Sequence, residues 1–226
     1  MNYRKARQRM IDEHISGRGI RDLLVLAAMG KVEREKFVPS HIQEFAYSDR
    51  PLPIECEQTI SQPYIVALMT EALELKGGEQ VLEIGTGSGY AAAVLAEIAD
   101  QVVSIERMTQ LADHARAVLK ELNYDNITVV AGDGTKGCAE FAPYDAIVVT
   151  AGGPQVPQSL RQQLKVGGRL VMPVGPIESF QTLVRVTRLE QEKFRQEDLC
   201  SVRFVPLLGE EGWSEKQHES KSDPHL

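Results

Sequence analysis

Between residues 80 and 175 the chain switches repeatedly between short apolar runs and segments whose apolar positions fall at helical spacing. Val81, Leu82 and Ile84, with Glu83 among them, read as a strand buried on both faces. Val102 to Ile105 is a second such run, Ile127 to Ala131 a third, Tyr144 to Thr150 a fourth and Arg169 to Val174 a fifth. The intervening segments read as helices over Ala91 to Ala99, Met108 to Leu122 and Gln158 to Leu164, the last stopped by Gly167-Gly168. In the second of these, Leu111, Ala115, Val118, Leu119 and Leu122 share one face. Two further strands, Thr182 to Leu189 and Cys200 to Val205, follow with no helix between them, only a charged connection over 190–198. Alternation of strand and helix predicts a doubly wound, mostly parallel α/β sheet, and the last two strands predict an antiparallel edge.

The first 78 residues follow a different pattern. Short helices are predicted over 3–15, broken by Gly17 and Gly19, over Leu23 to Met29 with Asp22 as cap and Gly30 as stop, from Glu33 to before Pro39, and from His41 to about Tyr47. Residues 49–64, with Pro51, Pro53 and Pro63, read as a long extended loop. Loops of that length in compact domains are often functional. A helix follows from about Gln62 to Leu75, with Ser61 as the expected N-cap. The organisation predicted is therefore a helical cap and active-site loop over 1–78, a core over 79–213 within the same domain, and a disordered tail over 214–226, which has almost no apolar content.

Composition narrows the partners. The net charge of −7 disfavours a duplex nucleic-acid ligand. No apolar run is long enough to span a membrane, and the basic N-terminus lacks the apolar stretch of a signal peptide. Cys56, Cys138 and Cys200 are scattered, which points to a reducing cytoplasm rather than to disulfides. The five histidines show no metal-ligand spacing, so no metal site is expected.

The candidate chemistry sits between the first two core strands. Gly85-Thr86-Gly87-Ser88-Gly89 follows the first strand directly, and Glu106 ends the second, about 20 positions on, where a carboxylate can hold a ribose diol. A dinucleotide loop has a further glycine that lets the helix pack beneath a pyrophosphate, and here that position is Tyr90. A ligand with a ribose and a small polar tail fits better, and S-adenosylmethionine (SAM) is the leading candidate over NAD. A tight structural turn is the bland alternative.

Seven motifs recur in a recognisable order: ISQPY at 60–64, EIGTGSGY at 83–90, SIER at 104–107, GDG at 132–134, YDAIVVTAG at 144–152, LKVGGRLVMPVG at 164–175 and RFVPLLG at 203–209. Over residues 5 to 213 the chain resembles the protein-L-isoaspartate(D-aspartate) O-methyltransferase family of Rossmann-like, SAM-dependent repair enzymes. The glycine loop belongs to many methyltransferases, whereas ISQPY and RFVPL are more diagnostic. The resemblance implies methyl transfer from SAM, leaving S-adenosyl-L-homocysteine, to the α-carboxylate of L-isoaspartyl residues in damaged proteins and peptides. The ester then collapses to a succinimide unaided.

It also implies roles. Ser61 matches the family's active-site serine, with a plain helix cap as its bland reading. Glu106 is expected at the ribose and Asp133 at the adenine amino group, the alternative for Asp133 being a turn aspartate. Gly85, Thr86, Gly87 and Ser88 are expected along the methionine and ribose, with Ile60 and Tyr64 closing over the cofactor and Arg107 and Gly134 beside it. Thr59, Val205 and Pro206 are weaker candidates for gripping the peptide substrate. A monomer is the family default. Two departures stand out: Glu55-Cys56-Glu57 replaces a segment that commonly contains glycine, and Gly152-Gly153 is expected to loosen its loop. The fold alone leaves open another methyl acceptor, such as a small molecule or RNA, and a non-catalytic SAM-binding protein.

Overall fold

The computed structural model describes residues 2–177 and 179–215. Seven strands form the main sheet: β3 (Gln80–Ile84), β4 (Gln101–Glu106), β5 (Ile127–Ala131), β6 (Tyr144–Val149), β7 (Leu164–Val174), β8 (Gln181–Glu190) and β9 (Lys193–Val202). Their order is β5-β4-β3-β6-β7-β8-β9, parallel from β5 to β7 and antiparallel from β7 to β9. This is the doubly wound, Rossmann-like sheet with an antiparallel edge that the strand-helix alternation predicts. The chain leaves β3 toward β4 and β5, then returns to place β6 on the other side of β3. The crevice at such a reversal, outside the carboxyl ends of the strands, is where ligands bind in these sheets.

β3 is buried on both faces, which explains its unbroken apolar character. Val81 points into a cluster shared with helices α2 (Leu23–Lys31), α4 (Tyr90–Ala96) and α5 (Thr109–Glu121), while Leu82 and Ile84 join a second cluster with Leu160 of α6 (Gln158–Gln163). The first cluster also takes in Ile15, Met29, Phe37 and Tyr47, so the N-terminal helices share one core with the sheet. The first of them, α1 (Tyr3–Arg9), continues without a break into wider helical turns over Met10–Ile15. Asp22 caps α2 as expected, accepting from the amides of Leu24 and Val25. The helix runs through Gly30 instead of stopping there, and a Cβ at Gly30 would stand 3.3 Å from Ile11 Cδ1. That glycine admits a neighbouring helix rather than ending its own.

Four expectations are corrected. Residues 49–64 are not simply extended: β1 (Leu52–Pro53) pairs antiparallel with β2 (Thr59–Ile60), Leu52 opposite Ile60. Ser61 is not the N-cap of α3 (Pro63–Ala72). Gln62 holds that position without a side-chain bond, and Asp49 caps from outside by accepting the Tyr64 amide at 3.0 Å. β7 begins at Leu164 and passes through Gly167-Gly168. β9 begins at Lys193, inside the stretch read as a charged connection. It is an edge strand, and its charges pair across the ladder, Arg185 with Glu197 at 3.2 Å. Charge on an edge strand blocks further pairing, so charge alone does not mark a loop. Of the tail, residues 216–226 lie outside the described residues.

Candidate active site

The carboxyl ends of the strands open into a cavity of about 500 Å³, within the usual range for small-molecule sites. On one side lies the glycine loop after β3. Gly85, Gly87 and Gly89 have φ of +96°, +52° and +88°, a backbone path that other L-residues resist. Gly85 is also hemmed in, since a Cβ there would stand 2.4 Å from Thr150 Oγ1. That hydroxyl donates to the carbonyls of Gly85 (2.8 Å) and Ile84 (3.0 Å), pinning the loop to the end of β6. Tyr90, where a dinucleotide loop would carry glycine, is buried and opens α4.

Beneath the loop runs a chain of polar groups. Glu83 and Ser104 lie opposite each other in the β3–β4 ladder. The Ser104 hydroxyl donates to Glu83 Oε2 at 2.5 Å and shares a 2.6 Å hydrogen bond with Thr86 Oγ1. Glu83 is fully buried, and its Oε1 has no hydrogen-bond partner among the described residues. Burial pushes its pKa up to about 8, with the nearby Glu106 adding to the rise and the Ser104 hydrogen bond opposing it. Burial thus favours the neutral form of Glu83, and the residue lies outside the cavity lining.

Glu106 lies at the end of β4 and is 6% exposed. Its Oε2 accepts the Gly87 amide and its Oε1 the Met108 amide, both at 3.0 Å. Each oxygen keeps a lone pair, and the residue lines the cavity. A carboxylate held rigidly beside three glycines of positive φ suits a ribose diol and a SAM-sized ligand.

The opposite wall comes from the β1–β2 hairpin. Thr59, Ile60 and Ser61 line the cavity across from Gly85, Thr86, Gly87 and Ser88. With Asp49 capping α3, the Ser61 hydroxyl makes no hydrogen bond within the described residues, while its carbonyl accepts from Arg34 Nη2 at 2.9 Å. Val205 and Pro206 form the rim. They are held against Gly152, whose amide donates to Val205 O and whose carbonyl accepts from the Leu207 amide, each at 2.8 Å. The Gly152-Gly153 pair does not loosen this loop. A Cβ at Gly152 would stand 3.0 Å from the Gln181 side chain, and one at Gly153 2.5 Å from Met172 Cε. The glycines are there for close packing.

Of the remaining expected residues, Arg107 and Gly134 line the cavity, and the Arg107 guanidinium pairs with Glu215 at 2.6 Å. Two lie outside its lining. Tyr64 does not close over it: Asp49 holds its amide, and the Arg18 guanidinium stacks 3.6 Å above its ring. Asp133 borders a second, adjoining pocket of about 400 Å³. Its carboxylate accepts from the Thr135 amide and hydroxyl and from the Glu210 amide, so it does serve as a turn aspartate. Burial alone would raise its pKa, but these hydrogen bonds, with Lys136 nearby, hold it below the usual carboxylate range.

Sequence reading missed Thr150 as the loop's anchor and Arg34 and Asp49 as the supports of the Ser61 segment. The signal for Thr150 was its place at a strand end facing the glycine loop. Arg34 and Asp49 carried none, because their contacts are tertiary. The hairpin tip was visible only as a departure. Cys56 and Glu57 have φ of +56° and +57°, so the tip is a tight turn with two left-handed residues and no glycine.

Comparison with known proteins agrees with this geometry. The family model described as protein-L-isoaspartate(D-aspartate) O-methyltransferase matches residues 5–212. Protein-L-isoaspartate O-methyltransferase 1 of Rhodopseudomonas palustris (strain HaA2) is 59% identical, covering 96% of this chain and 89% of the relative. Protein-L-isoaspartate O-methyltransferase 2 of Pelobacter propionicus is also 59% identical, covering 94% of each. A solved protein-L-isoaspartate O-methyltransferase superposes with a TM-score of 0.83 at 31% identity, covering 91% of this chain and 67% of that one. A candidate enzyme of the same kind from Plasmodium falciparum, solved in complex with S-adenosyl-L-homocysteine, gives 0.77 at 25% identity, covering 92% and 99%. By the family model over residues 5–212 and relatives 59% identical over nearly its full length, the chain belongs to the protein-L-isoaspartate(D-aspartate) O-methyltransferase family.

Proposed function

We propose that this protein transfers a methyl group from SAM to the α-carboxyl group of L-isoaspartyl residues in damaged proteins and peptides, initiating their repair. The observation that carries the reading is that Ser61, whose hydroxyl makes no hydrogen bond within the described residues, lines one cavity with the glycine loop and Glu106. SAM, when bound, supplies a methyl group already activated on a sulfonium. A carboxylate with a pKa near ~4 is ionised at neutral pH, so the acceptor needs no general base. What the protein must supply is alignment and exclusion of water, and alignment lowers a bimolecular barrier by about 7–11 kcal/mol in favourable cases.

The residues divide that work. Glu106 accepts from the ribose hydroxyls with the lone pairs its backbone donors leave free. Gly85, Thr86, Gly87 and Ser88 let the backbone approach the methionine and ribose portion, and Ile60, Arg107 and Gly134 enclose it. Asp133 receives the adenine amino group with the capacity its turn role leaves over. Ser61 donates its hydroxyl to the substrate carboxylate and orients it. Thr59, Val205 and Pro206 hold the peptide backbone at the rim. The helical cap of 1–78 and the core of 79–213 work as one domain, and the protein acts as a cytoplasmic monomer without a nucleic-acid partner.

The test is methyl transfer from labelled SAM to two synthetic peptides, identical except for L-isoaspartate or L-aspartate at one position. Transfer to the isoaspartyl peptide alone is expected. Transfer to neither, with S-adenosyl-L-homocysteine still bound, would sink the reading.

A further inference from the structure

Arg34 is fully buried, yet no carboxylate lies within ion-pairing distance of it among the described residues. Its Nε donates to the Ala46 carbonyl at 2.7 Å and its Nη2 to the Ser61 carbonyl at 2.9 Å. Its guanidinium carbon lies 4.7 Å above the centroid of the Tyr90 ring, and Nη1 has no hydrogen-bond partner among the described residues. Tyr90 is the first residue of α4, directly after the glycine loop, and it also lines the cavity.

One side chain thus joins the two walls of the site. A buried charge without a counter-ion is costly, and well-packed apolar residues generally replace buried ionic groups without loss. A rigid planar fork, by contrast, sets the relative position of the groups it bonds. We propose that Arg34 is a positioning residue for methyl transfer: it fixes the Ser61 backbone relative to α4, and so sets the distance between the acceptor carboxylate and the methyl group. Asp49 fixes the next turn in the same sense, accepting from Gln62 Nε2 at 2.8 Å and the Tyr64 amide at 3.0 Å. Arg34 adds a polar tie between the two walls, through the Ser61 carbonyl on one side and the Tyr90 ring on the other.

This inference rests on the reading of the site given above, and its test separates the two. The full-length protein and its Arg34→Lys and Arg34→Gln variants are assayed with the isoaspartyl peptide at saturating SAM, alongside S-adenosyl-L-homocysteine affinity and thermal unfolding. Lysine keeps the charge and glutamine a neutral donor, and neither reproduces the fork. The expectation is that kcat per folded molecule falls ~10–100-fold in both, since a misplacement of about 1 Å costs up to ~100-fold. Peptide KM and S-adenosyl-L-homocysteine affinity should stay within about 3-fold, the glycine loop and Glu106 being untouched. Unchanged kcat per folded molecule, or affinity falling as far as kcat, would overturn the proposal. If neither variant folds, Tyr90→Leu removes the ring under the guanidinium and leaves both carbonyl bonds. A fall in kcat of about 3–10-fold is then expected, and no fall overturns the proposal. Lack of isoaspartyl methylation by the unaltered protein would refute the functional reading instead.

Discussion

Glu83 gives this protein a pH dependence of stability opposite in sign to that of an ordinary carboxylate. Most carboxylates are ionised and paired in the folded state, so they add stability as pH rises. Glu83 is buried with one oxygen lacking a hydrogen-bond partner among the described residues, and its pKa is pushed up to about 8 from a reference of 4.5. Between those values the folded state binds a proton that the unfolded state has released. Stability therefore falls with rising pH, by at most about 1.4 kcal/mol per unit, and the loss levels off above about pH 8. From about pH 5.5 to about pH 7.5 the contribution is a loss of about 2.5 kcal/mol, or roughly 5–10 °C in midpoint for a chain of this size. Glu83→Gln removes the titration while nearly keeping the shape. Other groups titrate in the same window, so the quantity to follow is the difference in unfolding free energy between the parent and Glu83→Gln, by urea titration at both pH values. That difference should move by about 2.5 kcal/mol against the parent as pH rises. The glutamine leaves a buried donor where Oε1 stood, which costs about 1–3 kcal/mol at both pH values alike and cancels in the comparison. A difference constant to within about 0.5 kcal/mol would show that Glu83 keeps the same protonation folded and unfolded, which would refute the burial-driven shift.

Three further outcomes follow from the site. Ser61→Ala should lower kcat by about 10–100-fold and leave unfolding nearly unchanged, because the hydroxyl caps nothing; a stability loss near ~1 kcal/mol with full turnover would mark it as a cap after all. Glu106→Gln should weaken S-adenosyl-L-homocysteine binding by about 1.5–3 kcal/mol, roughly 10–150-fold in a calorimetric titration. Part of that loss belongs to the Gly87 and Met108 amides, one of which must face the new NH₂, and thermal unfolding of the ligand-free protein measures that part. Replacing the hairpin tip by Cys56→Asn with Glu57→Gly should raise the midpoint by about 2–4 °C, since a turn with two left-handed residues favours Asn-Gly at about 1 kcal/mol; no gain would mean that tip contacts offset the strain.

What the sequence disclosed and what it withheld differ in physical kind. β3, β5 and the Glu106 offset were legible because each depends on local periodicity or on spacing along one βαβ unit, and the structure reproduces β5 as Ile127–Ala131. The start of β9 was not legible. Hydropathy separates buried from exposed residues, and an edge strand with cross-strand ion pairs is exposed without being a loop. Ser61 shows the harder limit. A serine just before a helix is the strongest local cap signal there is, and the local inference was sound, but Asp49 reaches the same helix end from earlier in the chain. Once the cap is supplied from outside, the serine hydroxyl is not needed at the helix end, and Ser61 lines the cavity. The same holds for Gly152 and Gly153, where a loose loop and a tightly packed one have the same sequence, and only Gln181 and Met172 on neighbouring strands decide between them. The family motifs located the site because a βαβ unit and its flanking segments travel together in sequence. The residues that fix its geometry, Arg34, Asp49 and Thr150, act across strands and helices that meet only in the fold. That the Ser61 hydroxyl is left without a capping role is thus a tertiary property, conferred by residues far from it in sequence.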